Sequence, residues 1–187
     1  MTNNADVVEI NIEAMQEEAE APGANECCIY KVPFSIRRHN EEAYTPKVVS
    51  IGPFHKGNSR LKDMERQKLV YCNAFVRRTK TTLESLIRKI EEMEPEFRRC
   101  YSPSLEEVSK ELVEIIVVDC AFILELFCRF SNKNEWKKDP NLSKSWWRKS
   151  IRDDLLLLEN QVPFSVLERL FNLSFPSRGD DSFLFRK

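Results

Sequence analysis

From Leu112 to Phe130 the chain sets large apolar residues at three- and four-residue steps, and between Ile115 and Phe127 only Asp119 and Glu125 carry charge. A helix this apolar around its circumference cannot rest on a surface, so it must be a central element with other helices packed around it. The stretch is well short of the roughly 20 apolar residues that cross a bilayer, so it reads as a core helix. A capping box, Ser104-x-x-Glu107, predicts its start, and Leu105, Val108, Leu112, Ile115, Ile116, Phe122, Ile123, Leu126, Phe127 and Phe130 form its expected buried face. Asp119 lies on that stripe with Ile115, Phe122 and Leu126. A buried carboxylate requires a partner, and Arg37, Arg38 or backbone N–H groups are the expected ones.

The flanking periodicity builds a mainly α fold. Met64, Tyr71, Phe75, Leu83, Leu86, Ile87, Ile90 and Met93 predict a long helix from Leu61, broken near Thr79 to Thr82 and stopped by Pro95. Residues 131–150 lose the period and read as a basic connector. A further helical region is expected at Asp153, with Asp153 and Asp154 favourable near its N-terminus and Leu155 to Leu158 buried. Pro163 either kinks that helix or opens another, whose stripe is Phe164, Leu167, Leu170 and Phe171. Asn160 and Gln161, beside Glu159, are expected to satisfy backbone groups at the break. Before all this, residues 27–57 hold Pro33, Pro46 and Pro53 and read as irregular chain packing through Ile29, Val32, Phe34, Ile36, Tyr44, Val48, Val49, Ile51 and Phe54. The architecture is therefore an irregular, Pro-containing N-terminal segment packed on a bundle of about three to five helices. Residues 1–26 carry seven carboxylates and no Lys or Arg, which reads as an acidic flexible tail and leaves the rest of this −1 chain at +6. The folded part is expected over 27–175, with an irregular end at 176–187.

Composition removes familiar chemistries. Four glycines form neither a GxGxxG nor a GxxxxGK[ST] loop, and two histidines without a CxxC pair leave too few ligands for a zinc site. No cofactor and no small-molecule substrate is expected. The acidic N-terminus is no secretory signal, so the six cysteines read as reduced thiols and the two Asn-Leu-Ser sequons as chance. His39 and His55 could join Cys28 and Asp119 in a hydrolytic constellation, but no spacing demands it. Between Arg129 and Arg152, eight basic residues face two acidic ones and interleave with Trp136, Trp146 and Trp147. Lys137, Lys138, Trp146, Trp147, Arg148 and Lys149 could touch an anionic membrane surface, while the plainer reading docks the tryptophans onto the domain. Nucleic acid is not an expected partner.

Five ordered blocks carry a resemblance. They are Ile29-Tyr30-Lys31-Val32-Pro33; Tyr44-x-Pro46-x-x-Val49-Ser50-Ile51-Gly52-Pro53-Phe54-His55-x-Gly57; Leu61-x-x-Met64-Glu65-x-x-Lys68-x-x-Tyr71; Asp119 through Leu126, including Glu125; and Asp154 through Phe164, including Glu159, Asn160, Gln161 and Pro163. Over residues 27–171 the chain resembles the plant family called domain of unknown function 247. Lys56 stands where members often have a second histidine, and Cys120-Ala121 where a glycine and cysteine are common. The resemblance implies no established enzymatic activity, and for some grass members a part in self-incompatibility. It also implies a longer protein, with a second helical half and a C-terminal segment that holds it at the plasma membrane. On that basis the chain is expected to be the front part of such a protein, soluble or on the cytoplasmic side as given, with exposed apolar surface. The expected function is non-enzymatic, through an unidentified protein partner in signalling or recognition, with a peripheral membrane module as the alternative. The turn Gly52-Pro53-Phe54-His55-Lys56-Gly57 is expected to use its glycines for unusual backbone angles.

Overall fold

The computed structural model of the 187-residue chain describes residues 28–102, 105 and 108–176. The acidic segment 1–26, most of the end at 176–187, and Ser104 and Glu107 of the expected capping box lie outside the described residues. Among the described residues the order is β1 (Ile29–Tyr30), α1 (Phe34–Arg37), α2 (Lys62–Thr79), α3 (Leu83–Arg98), β2 (Tyr101–Ser102), α4 (Ser109–Ser131), α5 (Lys133–Lys138), α6 (Ser145–Leu155) and α7 (Phe164–Ser174), with 3-10 turns at Glu41–Ala43 and Ser59–Leu61. The fold is mainly α, and the five longer helices make up the bundle.

α4 is its axis. Thirteen of its 23 residues are buried, including every position from Asp119 to Leu126. α2, α3 and α7 pack against it. α2 offers Met64, Lys68, Tyr71, Cys72 and Phe75, and α3 offers Leu86, Ile90, Met93 and Phe97, each set at helical spacing. The break between them falls where the sequence placed it. Lys80 adopts a left-handed conformation with φ of 56°, and the Thr82 side chain accepts from the Ser85 N–H to start α3.

Several boundaries differ from the sequence reading. Pro95 does not stop α3, which runs to Arg98. Pro95 and Glu91 are both exposed, so the carbonyl that loses its helical partner can be hydrated. α4 begins at Ser109, with Leu105 and Val108 ahead of it. Residues 131–150 are not a connector, because α5 and the start of α6 occupy them; Trp147 and Ile151 bury one face of α6 and set its register. Asp153 and Asp154 consequently sit at the C-terminal end of α6, the unfavourable end for a carboxylate. Leu156 and Leu158 are exposed, as are Phe34 and Ile36, and Phe127 and Phe130 line the surface. Pro163 precedes α7 and opens it.

The N-terminal segment is tied at both ends. β1 runs parallel to β2, with Ile29 opposite Tyr101 and Lys31 N–H donating to the Ser102 carbonyl at 2.9 Å. Farther on, Gly52 and Gly57 have φ of 72° and 83°. A Cβ on Gly52 would lie 2.4 Å from the Gln161 carbonyl oxygen, whereas one on Gly57 would meet open space. Gly57→Ala is therefore expected to cost about 1 kcal/mol of left-handed strain alone. Gly52→Ala should cost at least twice as much, because backbone must also move. Urea unfolding followed by circular dichroism separates the two, and equal midpoints would contradict the close approach at Gly52.

Candidate functional site

The motif residues converge on the backbone of residues 47–52, which belongs to no helix or sheet. Its polar groups are satisfied by side chains instead. Asp154 accepts the N–H groups of Lys47, Val48 and Val49 at 2.9, 2.6 and 2.8 Å. Asn160 Oδ1 accepts from Ile51 N–H at 2.7 Å, while its Nδ2 donates to the carbonyls of Val49 and Asp154. Asp119 Oδ2 accepts from Gly52 N–H at 2.8 Å. Lys68 Nζ donates to the Ser50 carbonyl at 2.8 Å and to Asp119 Oδ1 at 2.5 Å. Gln161 Nε2 donates to the carbonyls of Leu155 and Leu157, closing the end of α6.

The cation beside Asp119 is thus Lys68, not Arg37 or Arg38, and the expected backbone donor is Gly52 N–H. Both side chains are inaccessible to solvent, and Lys68 also meets Glu65 Oε1 at 2.7 Å. Burial pushes the Asp119 carboxyl up from its usual range, against the opposing pull of Lys68 and the Gly52 N–H. Lys68 was legible in principle, since it lies four residues after Met64 and three before Tyr71 on the buried stripe of α2. Glu65 also pairs with Lys56. Burial raises the Glu65 carboxyl, but hydrogen bonds from Lys56 and Lys68 outweigh it and leave the pKa lowered.

Arg37 serves Glu159. Glu159 accepts from Val32 N–H at 2.5 Å and from Arg37 at 2.6 Å, and His55 Nε2 lies 3.3 Å away. Arg37 also donates to the Tyr44 carbonyl. Burial lowers the His55 pKa below the usual 6.5, outweighing the nearby Glu159 carboxylate, and Arg37 and Lys31 add to the lowering.

A third cluster escaped the sequence reading. Tyr71 donates to Asp139 at 2.8 Å, and Asp139 Oδ1 accepts from the N–H groups of Asn141 and Leu142. Arg129 bridges Asp139 and Glu125, and Arg78 joins Glu125 to Glu135. Glu125, buried on α4, is therefore held by two guanidinium groups. Only the Asp-Pro pair at 139–140, a common turn signal, hinted at the role of Asp139.

The remaining motif residues frame these clusters. Pro46, Ser50, Pro53, Met64 and Pro163 are buried, Tyr44 is half-buried, and Tyr30, Pro33 and Gly57 are exposed. His39 is exposed beside Arg38, His55 faces Glu159, and Asp119 faces Lys68, so the three do not form the hydrolytic constellation weighed above. Cys72 and Cys120 are buried free thiols, and Cys28 is an exposed one. Among the described residues no group of three or more His, Cys, Asp or Glu side chains is arranged to hold a metal ion, and no helix is long and apolar enough to cross a membrane. In the basic segment, Trp147 is buried and Arg148 stacks over Trp136 while donating to the Leu142 carbonyl. Lys137, Lys138, Lys149 and Trp146 remain exposed, so only these four of the six are positioned to meet an anionic surface.

Among the described residues, one concavity of about 350 Å3 is lined by Arg78, Arg129, Glu135, Lys138 and Asp139, and two others are mainly apolar. A groove of about 600 Å3 runs between α4 and α6 and includes Phe127, Phe130, Ile151, Leu155 and Leu156. A second, of about 210 Å3, continues from the shared residues Phe127 and Leu155 toward Val162, Phe164 and Leu167.

Lys68→Met should lower the unfolding free energy by about 3–5 kcal/mol, because it leaves the Asp119 charge buried alone. Adding Asp119→Asn, which keeps an acceptor for Gly52 N–H, should restore part of that loss; a double variant no more stable than the single would refute the pairing. For His55, the unfolded chain binds more protons than the folded one below pH 6.5. Stability from this residue is present above pH 6.5 and is lost as pH falls through the lower folded value. His55→Asn should flatten that part of the pH–stability curve in urea titrations.

The plant family model DUF247, described as plant protein of unknown function, matches residues 29–186. The chain is 39% identical over 155 residues to a UPF0481 protein of Arabidopsis thaliana, covering 81% of this chain and 32% of that protein. It is 30% identical over 159 residues to a putative UPF0481 protein of the same species, covering 83% and 29%. The chain thus spans about a third of the length of these curated relatives. No solved structure matches. With the match extending over most of its length, including all five blocks, the chain belongs to the plant DUF247 family.

Proposed function

We propose that the chain is a non-enzymatic protein-interaction module of the signalling or recognition type, with residues 27–175 as the folded unit. The observation that carries this reading is how its side chains are used. The charged motif residues Asp119, Lys68, Glu159 and Asp154 are buried and committed to internal hydrogen bonds, while the two adjoining grooves include Phe127, Phe130, Leu155, Leu156 and Phe164. A catalytic acid or base must reach a substrate proton, and these carboxylates face backbone N–H groups and internal cations instead. An apolar groove edged with charge suits discrimination between protein partners, which a self-incompatibility type of role would require.

Leu156 and Phe127 are 72% and 41% exposed, so Leu156→Asp and Phe127→Asp should leave the helix content intact. Each should weaken a partner recovered from plant extract by roughly thirtyfold or more, as expected at a central contact worth about 2 kcal/mol. Partners retained at full affinity by both variants would oppose this reading. So would turnover by the purified chain that disappears in His55→Asn or Asp119→Asn.

A second reading is peripheral attachment to an anionic membrane on its cytoplasmic side, favoured by the exposed Lys137, Lys138, Lys149 and Trp146. At about 1 kcal/mol per cation, the three lysines would give weak, salt-sensitive binding. Co-sedimentation with phosphatidylserine vesicles at low salt, lost on changing the three lysines to Gln, is the expected result. Absence of binding at any salt concentration removes this reading.

A further inference from the structure

The larger groove leaves one face of α6 uncovered along its length. Ser145, Arg148, Lys149, Arg152 and Leu156 line it at helical spacing, while Trp147 and Asp154 bury the opposite face. On the facing wall, Phe127 and Phe130 of α4 are exposed. Every charged side chain that lines the groove, among the described residues, is a cation. Arg148 is committed to the Trp136 ring and the Leu142 carbonyl, whereas Lys149 and Arg152 are exposed. Arg152 meets Asp153 at 3.3 Å, but a pair this exposed contributes little and exchanges freely. The charge is also confined to one end. Past Arg152, Leu155 leads into the second groove, whose lining holds no charged side chain among the described residues.

We propose that the groove between α4 and α6 binds an acidic amphipathic helix of a partner protein, a placement that rests on the reading of the groove as an interaction surface. The apolar row of that helix packs on Phe127, Phe130 and Leu156, and carboxylates at one end of the row face Lys149 and Arg152. Charge complementarity selects this occupant. An isologous pair of chains would set the cationic patch against itself. An added strand needs a free backbone edge, and both walls are helices whose interior N–H and C=O groups bond within the helix. α6, at roughly 16 Å, matches a partner helix of about three turns. Such a helix presents large apolar side chains at i, i+4 and i+7, the spacing by which a helix anchors in a groove. Lys149 and Arg152 then decide which helices enter, because a basic helix of the same apolar pattern would bring like charges together.

Fluorescence anisotropy of the full chain with three labelled helical peptides of about 15 residues tests this. The first has leucines at i, i+4 and i+7 with glutamates beside the first of them. The second carries lysines in place of those glutamates, and the third keeps the composition of the first with its leucines two residues apart. The acidic amphipathic peptide is expected to bind about tenfold or more tightly than either of the others at low salt, and its advantage over the basic one should fade as salt rises. Lys149→Glu/Arg152→Glu changes two exposed positions, so helix content and urea midpoint should hold while the preference reverses toward the basic peptide. Leu156→Asp should weaken the acidic peptide by about tenfold or more. Equal affinities for the acidic and basic peptides, or an order unchanged in the double variant, would overturn the proposal. So would a dimer in sedimentation that Leu156→Asp dissociates, which would assign the groove to a second copy. Phosphatidylserine vesicles bound through Leu156 with no peptide bound would overturn it in favour of a membrane. Absence of the acidic preference, with the plant-extract partner still lost in Leu156→Asp, defeats the acidic helix and leaves the interaction reading standing. The preference and its reversal, with the extract partner retained at full affinity by Leu156→Asp, support the helix site and remove that partner from the groove.

Discussion

The fold depends on how a stretch of backbone without secondary structure is satisfied inside a helical protein. Residues 47–52 pass between α2, α4 and the end of α6, where water cannot reach Val49, Ser50, Ile51 or Gly52. An unpaired buried amide costs on the order of 1–3 kcal/mol, so several together would be prohibitive. Asp154, Asn160, Asp119 and Lys68 remove that cost, each from a different position in the chain. The arrangement also explains why a carboxylate sits at the C-terminal end of α6. Three N–H donors compensate Asp154 more than the local helix dipole opposes it, since charge-assisted hydrogen bonds are individually worth more than a terminal dipole contact.

The same pattern divides the buried polar residues of the family blocks from the exposed apolar ones. Residues that look chemical in a linear sequence, such as Lys68, Asp119, His55, Glu159 and Asn160, act as fasteners. The surface that can meet another molecule consists of residues that look structural, such as Phe127, Phe130, Leu156 and Phe164. Polar side chains buried in a core are costly to retain when unpaired, and here each is used to position an irregular segment that hydrophobic packing alone would leave free to slip.

The large features were legible because they rest on periodicity. The apolar run of α4, the buried stripes of α2 and α3 and the break near Thr79 all follow from helical spacing. What was not legible depends on tertiary partners. The basic composition of residues 131–150 concealed α5 and α6, whose formation rests on a few buried contacts through Trp147, Ile151 and Leu142. Asp153 and Asp154 resembled a helix start because acidic residues favour one, and only the distant N–H groups of Lys47, Val48 and Val49 reverse that inference. The pairing of Arg37 with Glu159 rather than Asp119 likewise joins positions more than a hundred residues apart, a distance across which sequence alone gives no geometry.

That separation has a consequence for synthesis. Residues 47–52 leave the ribosome long before Asp154 and Asn160, the groups that satisfy their backbone, and the hydrogen bonds span 105 to 111 residues. At about 5–20 residues per second the interval is roughly 5–20 s, far longer than the microseconds in which a helix forms. α2 and α3 can pair while the Val49–Gly52 stretch still lacks its later partners. Translation therefore imposes a waiting period on the early segment, which ends only once α6 and the residues just after it have emerged.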